Sequence, residues 1–494
     1  MAARPVRLTA VDASFLVQEV DCAVMTVGGI ATFDGPAPSI DEFRAHTLDR
    51  LHRIPRYRQR LRNIPGGAAR AVWVDDERFE VSYHVRHAGL PGDGSLRELW
   101  SLYADVHAHR LDPTRPLWEI YLVDGLVEGQ FAVIARNHHA LMDGVSNMDV
   151  LAALWDLEPS PPAASDQPSE FWRAAPEPSD RNLVLQAARE ASGAALAAGG
   201  RLAGAVRNPG ATLARVRRGA EGAAEIGRAV MAPAPATPFN QKIGPGRRFT
   251  AVRLDLAEIK RVKNVLGGTV NDVMLDVVAG GIRGLYTARG LDPSGVDLRP
   301  IVPVSIRAES ERGALGNRVV TLRPALPIGI EDPVERLQAI SQELERCKRS
   351  TQPTVVEVLA SVSDWMPAPA LGPVARLGYH PRLFNVLISN IPGPQFPLYL
   401  LGRKAKTMYA GGFLTQRQAL AFAAVSYDGG LGFGLMSDPS VVPELDVVAA
   451  GLEDCFDDLR AAASAASAAG AGAVGGGGAS IGAGSQAANE VTDP

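Results

Sequence analysis

The sequence predicts a mixed α/β fold built as two domains, and three observations carry that prediction. Short apolar runs with strand character alternate with capped, apolar-periodic helical segments along both halves of the chain. The length of 494 residues suits two or three domains. Between residues 158 and 238 the texture turns rich in Pro, Ala and Ser, which reads as a connector between the halves. The expected organisation is therefore a first domain at 1–157, a connector at 158–238, a second domain at 239–460 and a tail at 461–494.

In the first domain, Asp12 to Leu16 opens a short helix or turn, and Val24 to Phe33 reads as a strand. Ser39 and Glu42 are spaced as a capping box, and Pro55 stops the helix that follows. Trp73-Val74 and Phe79 to Tyr83 read as strands. A second box, Ser95 with Glu98, opens a helix carrying Leu96, Leu99, Tyr103 and Val106 on one side. Pro116-Leu117-Trp118-Glu119 leads into the strand Ile120 to Val123, and Phe131 to Ala135 is a buried strand.

In the connector, the segments 183–206 and 211–231 are Ala-rich and helical in character. Between 181 and 231 eight arginines stand against three glutamates, in a chain whose net charge is −4. Two readings stay open: a surface for anionic lipid headgroups, or solvated helices packed across the two domains.

The second domain opens with a strand at Phe249 to Leu254, and Gly267 to Asp272 starts a long helix. Strands are expected at 298–306, 316–322 and 384–389, the last ended by Asn390-Ile391-Pro392-Gly393-Pro394. Asp332 is placed to cap a helix whose first position is Pro333. Residues 421–427 and 431–436 alternate around Asp428-Gly429-Gly430 as a hairpin. A last helix carries Leu445, Val448, Leu452, Phe456 and Leu459. From Ala461 the chain is almost only Ala, Gly and Ser, so disorder is expected there.

The charge balance gives no reason to expect nucleic acid as a partner. Three distant cysteines, Cys22, Cys347 and Cys455, suit a reducing compartment and no disulfide framework. No secretory signal precedes Leu8, and no run approaches the ~18 apolar residues of a membrane span. The expected location is cytoplasmic, at most on a membrane surface.

The chemistry concentrates in Asn137-His138-His139-Ala140-Leu141-Met142-Asp143-Gly144, which joins the strand from Phe131 to the helical segment from Val145. Adjacent side chains on a strand point to opposite faces, so one histidine can meet a cavity while the other meets structure. Asp143-Gly144 suits a tight turn that brings a carboxylate back to the local frame. A histidine held in this way is a candidate general base near neutral pH. Three other patterns fail on context. Gly478-Ala479-Ser480-Ile481-Gly482 has the spacing of a nucleophile elbow but lies in the low-complexity tail. Gly430, Gly432 and Gly434 sit within the expected hairpin rather than before a helix. His107 and His109 lack partners at zinc-like spacing.

Taken with Pro116-Leu117-Trp118, Asn271-Asp272 to Asp276, Ser389-Asn390-Ile391-Pro392-Gly393-Pro394 and Asp12 to Leu16, this motif resembles the bacterial wax ester synthase/diacylglycerol acyltransferase family over nearly the whole ordered chain. The resemblance implies two chloramphenicol acetyltransferase-like α/β domains with a substrate tunnel at their interface. It implies His139 as general base, His138 as its orienting neighbour, Asp143 as a structural carboxylate and Gly144 as a close-packing position beneath the site. Asn271 is a candidate oxyanion donor, with a plain helix start as the alternative for Asn271-Asp272. Trp118 and Asp272 join Gly144 as substrate-binding candidates, with core packing the alternative for Trp118.

The implied reaction takes a long-chain acyl group from acyl-CoA, as substrate, to diacylglycerol or a fatty alcohol, with no cofactor or metal. It would run at a membrane or lipid-droplet surface. The competing readings are a condensation-type or polyketide-associated acyltransferase using a carrier-bound donor, and a non-catalytic lipid-droplet protein.

Overall fold

The structure is a computed structural model and describes residues 5–67, 69–142, 147–160, 172–190, 192–193, 217, 233–305, 319–349 and 382–475. Two six-stranded mixed sheets organise it. The first runs in the order Tyr399–Leu400, Arg403–Gly411, Thr26–Phe33, Phe131–His138, Trp118–Asp124, Val85–Gly89. Its neighbours are antiparallel except the last pair. The second runs Val319–Leu322, Pro300–Ser305, Val386–Ile391, Leu420–Tyr427, Gly430–Ser437, Arg248–Asp255. Here Val386–Ile391 is parallel to both neighbours. These sheets bear out the mixed α/β reading.

One strand departs from the expected division of the chain. Arg403–Gly411 belongs by sequence to the second domain, yet it pairs with Thr26–Phe33 of the first sheet, Tyr409 opposite Ile30. The two sheets therefore share a covalent crossover. Gly432 and Gly434 make room for it: a Cβ at Gly432 would stand 2.2 Å from the Met408 carbonyl oxygen, and one at Gly434 would stand 1.9 Å from that of Ala410. The glycine spacing that faintly resembles a dinucleotide loop thus serves close approach of backbone to sheet. The hairpin itself is as expected, with Asp428 (φ 40°) and Gly429 (φ 78°) in the left-handed region its turn requires.

Helices cover the sheets. Val270–Ala288 packs against the terminal helix Leu445–Gly475, and Leu256–Leu266 lies beside both. The larger core cluster lies under these helices and crosses to Phe15, Trp100 and Tyr103 of the first half. A second cluster gathers Phe33, Trp118, Phe131, Leu154 and Trp155 with Ala423 and Val425 of the second sheet.

Several local expectations need correction. The expected strand Phe79–Tyr83 contains a helical turn, Val81–His84, because the Glu80 carboxylate accepts from the Ser82 N–H (3.3 Å) and caps it. Ser39 with Glu42 forms the full capping box, but Ser95 makes no side-chain cap. Glu98 instead accepts from the Gly94 N–H (3.0 Å). The last helix passes the expected end at 460 and continues to Gly475, with Ala463 fully buried. Alanine needs little packing to remain helical, which is why an Ala-rich composition misleads there. Residues 476–494 and most of 158–238, including the greater part of the Arg-rich stretch, lie outside the described residues.

Candidate active site

The strand Phe131–His138 lies inside the first sheet, between Thr26–Phe33 and Trp118–Asp124. By its period of two, Val133, Ala135 and Asn137 face one side, while Ile134, Arg136 and His138 face the other. His139 begins a tight turn at the strand end, His139–Met142. Both flanking chains clamp this end. The His138 N–H donates to the Leu117 carbonyl (2.9 Å) and the His139 N–H to the Met25 carbonyl (2.8 Å).

The His139 ring is stacked on Phe15, centroids 3.8 Å apart and 18° from parallel. Phe413 meets it edge-on at 5.6 Å. Its Nδ1 is enclosed and has no hydrogen-bond partner among the described residues. Burial pushes the imidazole pKa down to about 4; a hydrogen bond with its own main chain opposes this, and the neighbouring His138 adds a smaller lowering effect. The ring is therefore neutral at pH 7 and able to accept a proton. This sets an expected pH dependence. If His139 must be neutral, kcat/KM falls as pH drops through about 4, not through the usual imidazole value near 6.5. The same depressed pKa contributes stability that is complete above about 6.5 and lost as pH falls through about 4. A kcat/KM profile between pH 4 and 8 checks the first point; a fall centred near 6.5 contradicts it.

His138 is buried and turned the other way. Its Nδ1 accepts from the Ala140 N–H (3.0 Å), which assigns the proton of the neutral ring to Nε2. That nitrogen is 3.7 Å from Oε1 of Glu19, a residue the sequence does not single out. Glu19 also accepts the Met25 N–H (3.1 Å). Burial pushes its carboxyl up, but His138 and Met25 outweigh burial and hold it below the usual range. Glu19 thus holds Met25, the residue that holds the His139 main chain, and its carboxylate lies beside His138 without a hydrogen bond to it.

Trp118 is not at a substrate surface, which corrects that expectation. It has no exposed area and lies between His84 and Tyr57, with both centroid distances 4.5 Å. Its indole N–H donates to the Tyr57 carbonyl (2.8 Å), and the Tyr57 hydroxyl donates to Asn137 Oδ1 (2.7 Å). The stack fixes Asn137, one residue before the histidine pair.

Asp272 is corrected likewise. It is the third residue of the helix capped by Thr269, and it accepts from the Thr269 N–H (2.9 Å) and the Ser341 hydroxyl (2.9 Å). Its carboxylate is occupied as a cap. Asn271, beside it, behaves differently. Its Oδ1 accepts from Nδ2 of Asn390 (3.5 Å), and its own Nδ2 is enclosed without an acceptor among the described residues. A buried orphan donor costs about 1–3 kcal/mol, so it marks a place where an acceptor belongs. Asn390 lies in a stretch that the sequence presents chiefly as a turn. Asp143 and Gly144 lie outside the described residues.

A cavity of about 610 Å³, partly open to solvent, lies beside the strand that ends at His138, and neither His139 nor Asn271 lines it. It is lined by Gly28–Ala31, Val133, Ala135 and Asn137 of the first sheet and by Ile391 and Val425 of the second, with Met408–Ala410 of the crossover strand. Asn137 and Ile391 are the chain neighbours of His138 and Asn390. Its walls are almost entirely apolar side chains and glycine, suited to a hydrocarbon.

Comparison with known proteins matches this arrangement to one family. The profile described as the wax ester synthase/diacylglycerol acyltransferase catalytic domain matches residues 8–274, and that of the WS/DGAT C-terminal domain matches 315–460. A Mycobacterium tuberculosis protein named a probable diacylglycerol O-acyltransferase is 32% identical over 456 residues, covering 90% of this chain and 94% of its own. A second so named from that organism is 33% identical over 472 residues, covering 91% and 98%. Among solved structures, the wax ester synthase/diacylglycerol acyltransferase of Marinobacter aquaeolei VT8 is similar with a TM-score of 0.66 and 26% identity, over 93% of this chain and 100% of that one. The starter condensation domain of rhizomide synthetase shares the fold alone, with a TM-score of 0.53 and 14% identity over 94% and 95%.

Proposed function

The chain belongs to the wax ester synthase/diacylglycerol acyltransferase family, and we propose that it moves a long-chain acyl group from acyl-CoA to diacylglycerol, forming triacylglycerol, and to fatty alcohols, forming wax esters. The observation that carries this reading is the neutral His139 ring, packed between Phe15 and Phe413 at the end of a strand that also lines an apolar cavity. The thioester is already activated, so transfer needs a base, an oxyanion partner and exclusion of water. In the proposed step His139 takes the proton of the acceptor hydroxyl as its oxygen attacks the thioester carbonyl. The Asn271 side-chain N–H receives the oxyanion. Collapse breaks the carbon–sulfur bond, and His139 returns the proton to the CoA thiolate. The ester and free CoA are the products, and no group on the enzyme is acylated.

Two measurements test parts of this step. Purified protein given labelled palmitoyl-CoA and a panel of diacylglycerols, fatty alcohols and carrier-bound acyl donors should form labelled triacylglycerol from the CoA donor. Transfer only from the carrier-bound donor would favour the condensation-type reading. Replacing Asn271 by Ala should lower kcat about 10²–10³-fold, the usual effect of losing one oxyanion donor, with KM nearly constant. A change of less than threefold would remove Asn271 from this role.

Because both acceptors are insoluble in water, the reaction is placed at a membrane or lipid-droplet surface. No single helix among the described residues is long and apolar enough to cross a membrane.

A further inference from the structure

Gln18 closes the helix Ala10–Gln18 and is 5% exposed. Its side-chain nitrogen and oxygen are both enclosed, and neither has a hydrogen-bond partner among the described residues. A primary amide offers two donors and an oxygen with two lone pairs, so this one is dehydrated with nothing in return. The N–H side is the costlier, because buried donors without an acceptor are rarer than under-filled carbonyls. Packing does not call for an amide here, since methionine fills a similar volume without a hydrogen-bonding head. A buried donor of this kind marks a place where an acceptor from outside the fold belongs.

The helix puts this amide next to the histidine pair. Residues three apart lie on one side of a helix. Phe15, three before Gln18, is stacked on the His139 ring (3.8 Å). Glu19, one after it, has its carboxylate beside His138 (3.7 Å). The helix as a whole packs on the turn His139–Met142. The second half of the chain closes over the same place. Phe413 stands edge-on to Phe15 (6.1 Å) and to His139 (5.6 Å). Just past Gln18, Asp21 accepts from the Gln416 side-chain N–H (3.3 Å), and the Cys22 carbonyl accepts from Arg247. Gln18 is thus in the seam between the halves, within one helical turn of the residue that stacks on the catalytic ring.

The two acceptors proposed above differ in what flanks the reacting hydroxyl. Diacylglycerol carries an ester on the neighbouring carbon, and its carbonyl oxygen only accepts hydrogen bonds. A fatty alcohol has methylene groups there and would leave the amide unpaired. A site built to bond a polar group discriminates strongly against an analogue that lacks it. We infer that the Gln18 side-chain N–H donates to the ester carbonyl beside the acceptor hydroxyl, so that this residue makes the site prefer diacylglycerol to fatty alcohols. Gln18 bonds a part of the acceptor that does not react, and it moves no proton. The inference rests on the acyl transfer proposed above, and the test separates the two.

Purified enzyme is given palmitoyl-CoA with dioctanoylglycerol or with dioctylglycerol, the diether that has the same shape and no carbonyl. In the wild type kcat/KM should favour the ester lipid by at least about fivefold, a comparison that needs no variant. Gln18→Met should reduce that ratio at least about fivefold, through KM for the ester lipid rather than kcat, because the bond is made alike before and during transfer. A smaller preference in the wild type overturns the inference, and so does a smaller reduction in the variant. Gln18→Met removes unpaired buried atoms at nearly constant volume, so its urea midpoint should equal or exceed that of the wild type. A lower midpoint with both lipids used equally poorly would assign the amide to the fold and overturn its role in recognition. Binding of the two lipids from detergent micelles needs no acyl donor and should show the same preference and the same loss; equal binding of both by the wild type overturns the inference. If binding shows that preference and Gln18→Met abolishes it, while palmitoyl-CoA supports no transfer, the role of Gln18 stands and the donor reading fails.

Discussion

Replacing His139 by Ala should lower kcat for triacylglycerol formation by about 10²–10⁴-fold, the usual contribution of a positioned general base. The loss should appear in kcat rather than KM, because the ring's proposed work begins when the hydroxyl proton must leave. His139→Gln makes the result specific: it keeps much of the volume between Phe15 and Phe413 but carries no basic nitrogen, so it should lose activity to a similar degree. The main-chain bond from His139 to Met25 does not involve the side chain, so both variants should fold. The ring's removal in the Ala variant opens a void with an expected cost of about 1–3 kcal/mol. Steady-state kinetics with palmitoyl-CoA, beside a denaturation curve for each variant, reads both quantities. Full activity in either variant would leave only a packing role for this histidine.

The largest effect on stability should come from a site far from the chemistry. Asp276 is 0% exposed and Arg336 2% exposed, and they pair at 2.7 Å between the helices Val270–Ala288 and Pro333–Arg349. Arg336 also donates to the Ile330 carbonyl (2.9 Å) and to the Cys455 sulfur (3.0 Å), which joins the terminal helix to the same point. Asp276→Ala leaves a guanidinium buried with its partner charge gone, and that should cost about 3–5 kcal/mol. Removing both charges is a different experiment. Asp276→Leu combined with Arg336→Met should recover much of the loss, since apolar replacement of a whole buried pair is often neutral. Urea midpoints for the single and double variants check this. A single variant within about 1 kcal/mol of the wild type would show that water reaches the site.

What could be read in the sequence was local. The histidine pair after an apolar strand is a short-range pattern, and its chemistry depends on a turn only a few residues long. The helix caps at Ser39 and Asp332 are likewise decided within three residues. The strand Arg403–Gly411 is not legible in the sequence because its first half, Arg403-Lys404-Ala405-Lys406, is polar and its partner, Thr26–Phe33, is remote in the chain. Leu256–Leu266 did carry a signal, with Leu256, Ile259 and Val262 at helical spacing after the cap Asp255. Trp118 and Asp272 belong to the motifs that point to the site, but motif membership does not say which way a side chain points. Packing between Tyr57 and His84 decided the first, and Thr269 with Ser341 decided the second. Glu19 and Asn390 carry no pattern of their own: each acts through a partner, His138 or Asn271, that only the folded chain brings near.

Direct transfer at a neutral imidazole is checked most immediately by thiol release on rapid mixing with palmitoyl-CoA before any alcohol is added. We expect no burst of free CoA under those conditions, then release of one CoA for each ester once diacylglycerol is supplied. A burst of about one thiol per active site, with the acyl group left covalently on the protein, would contradict it.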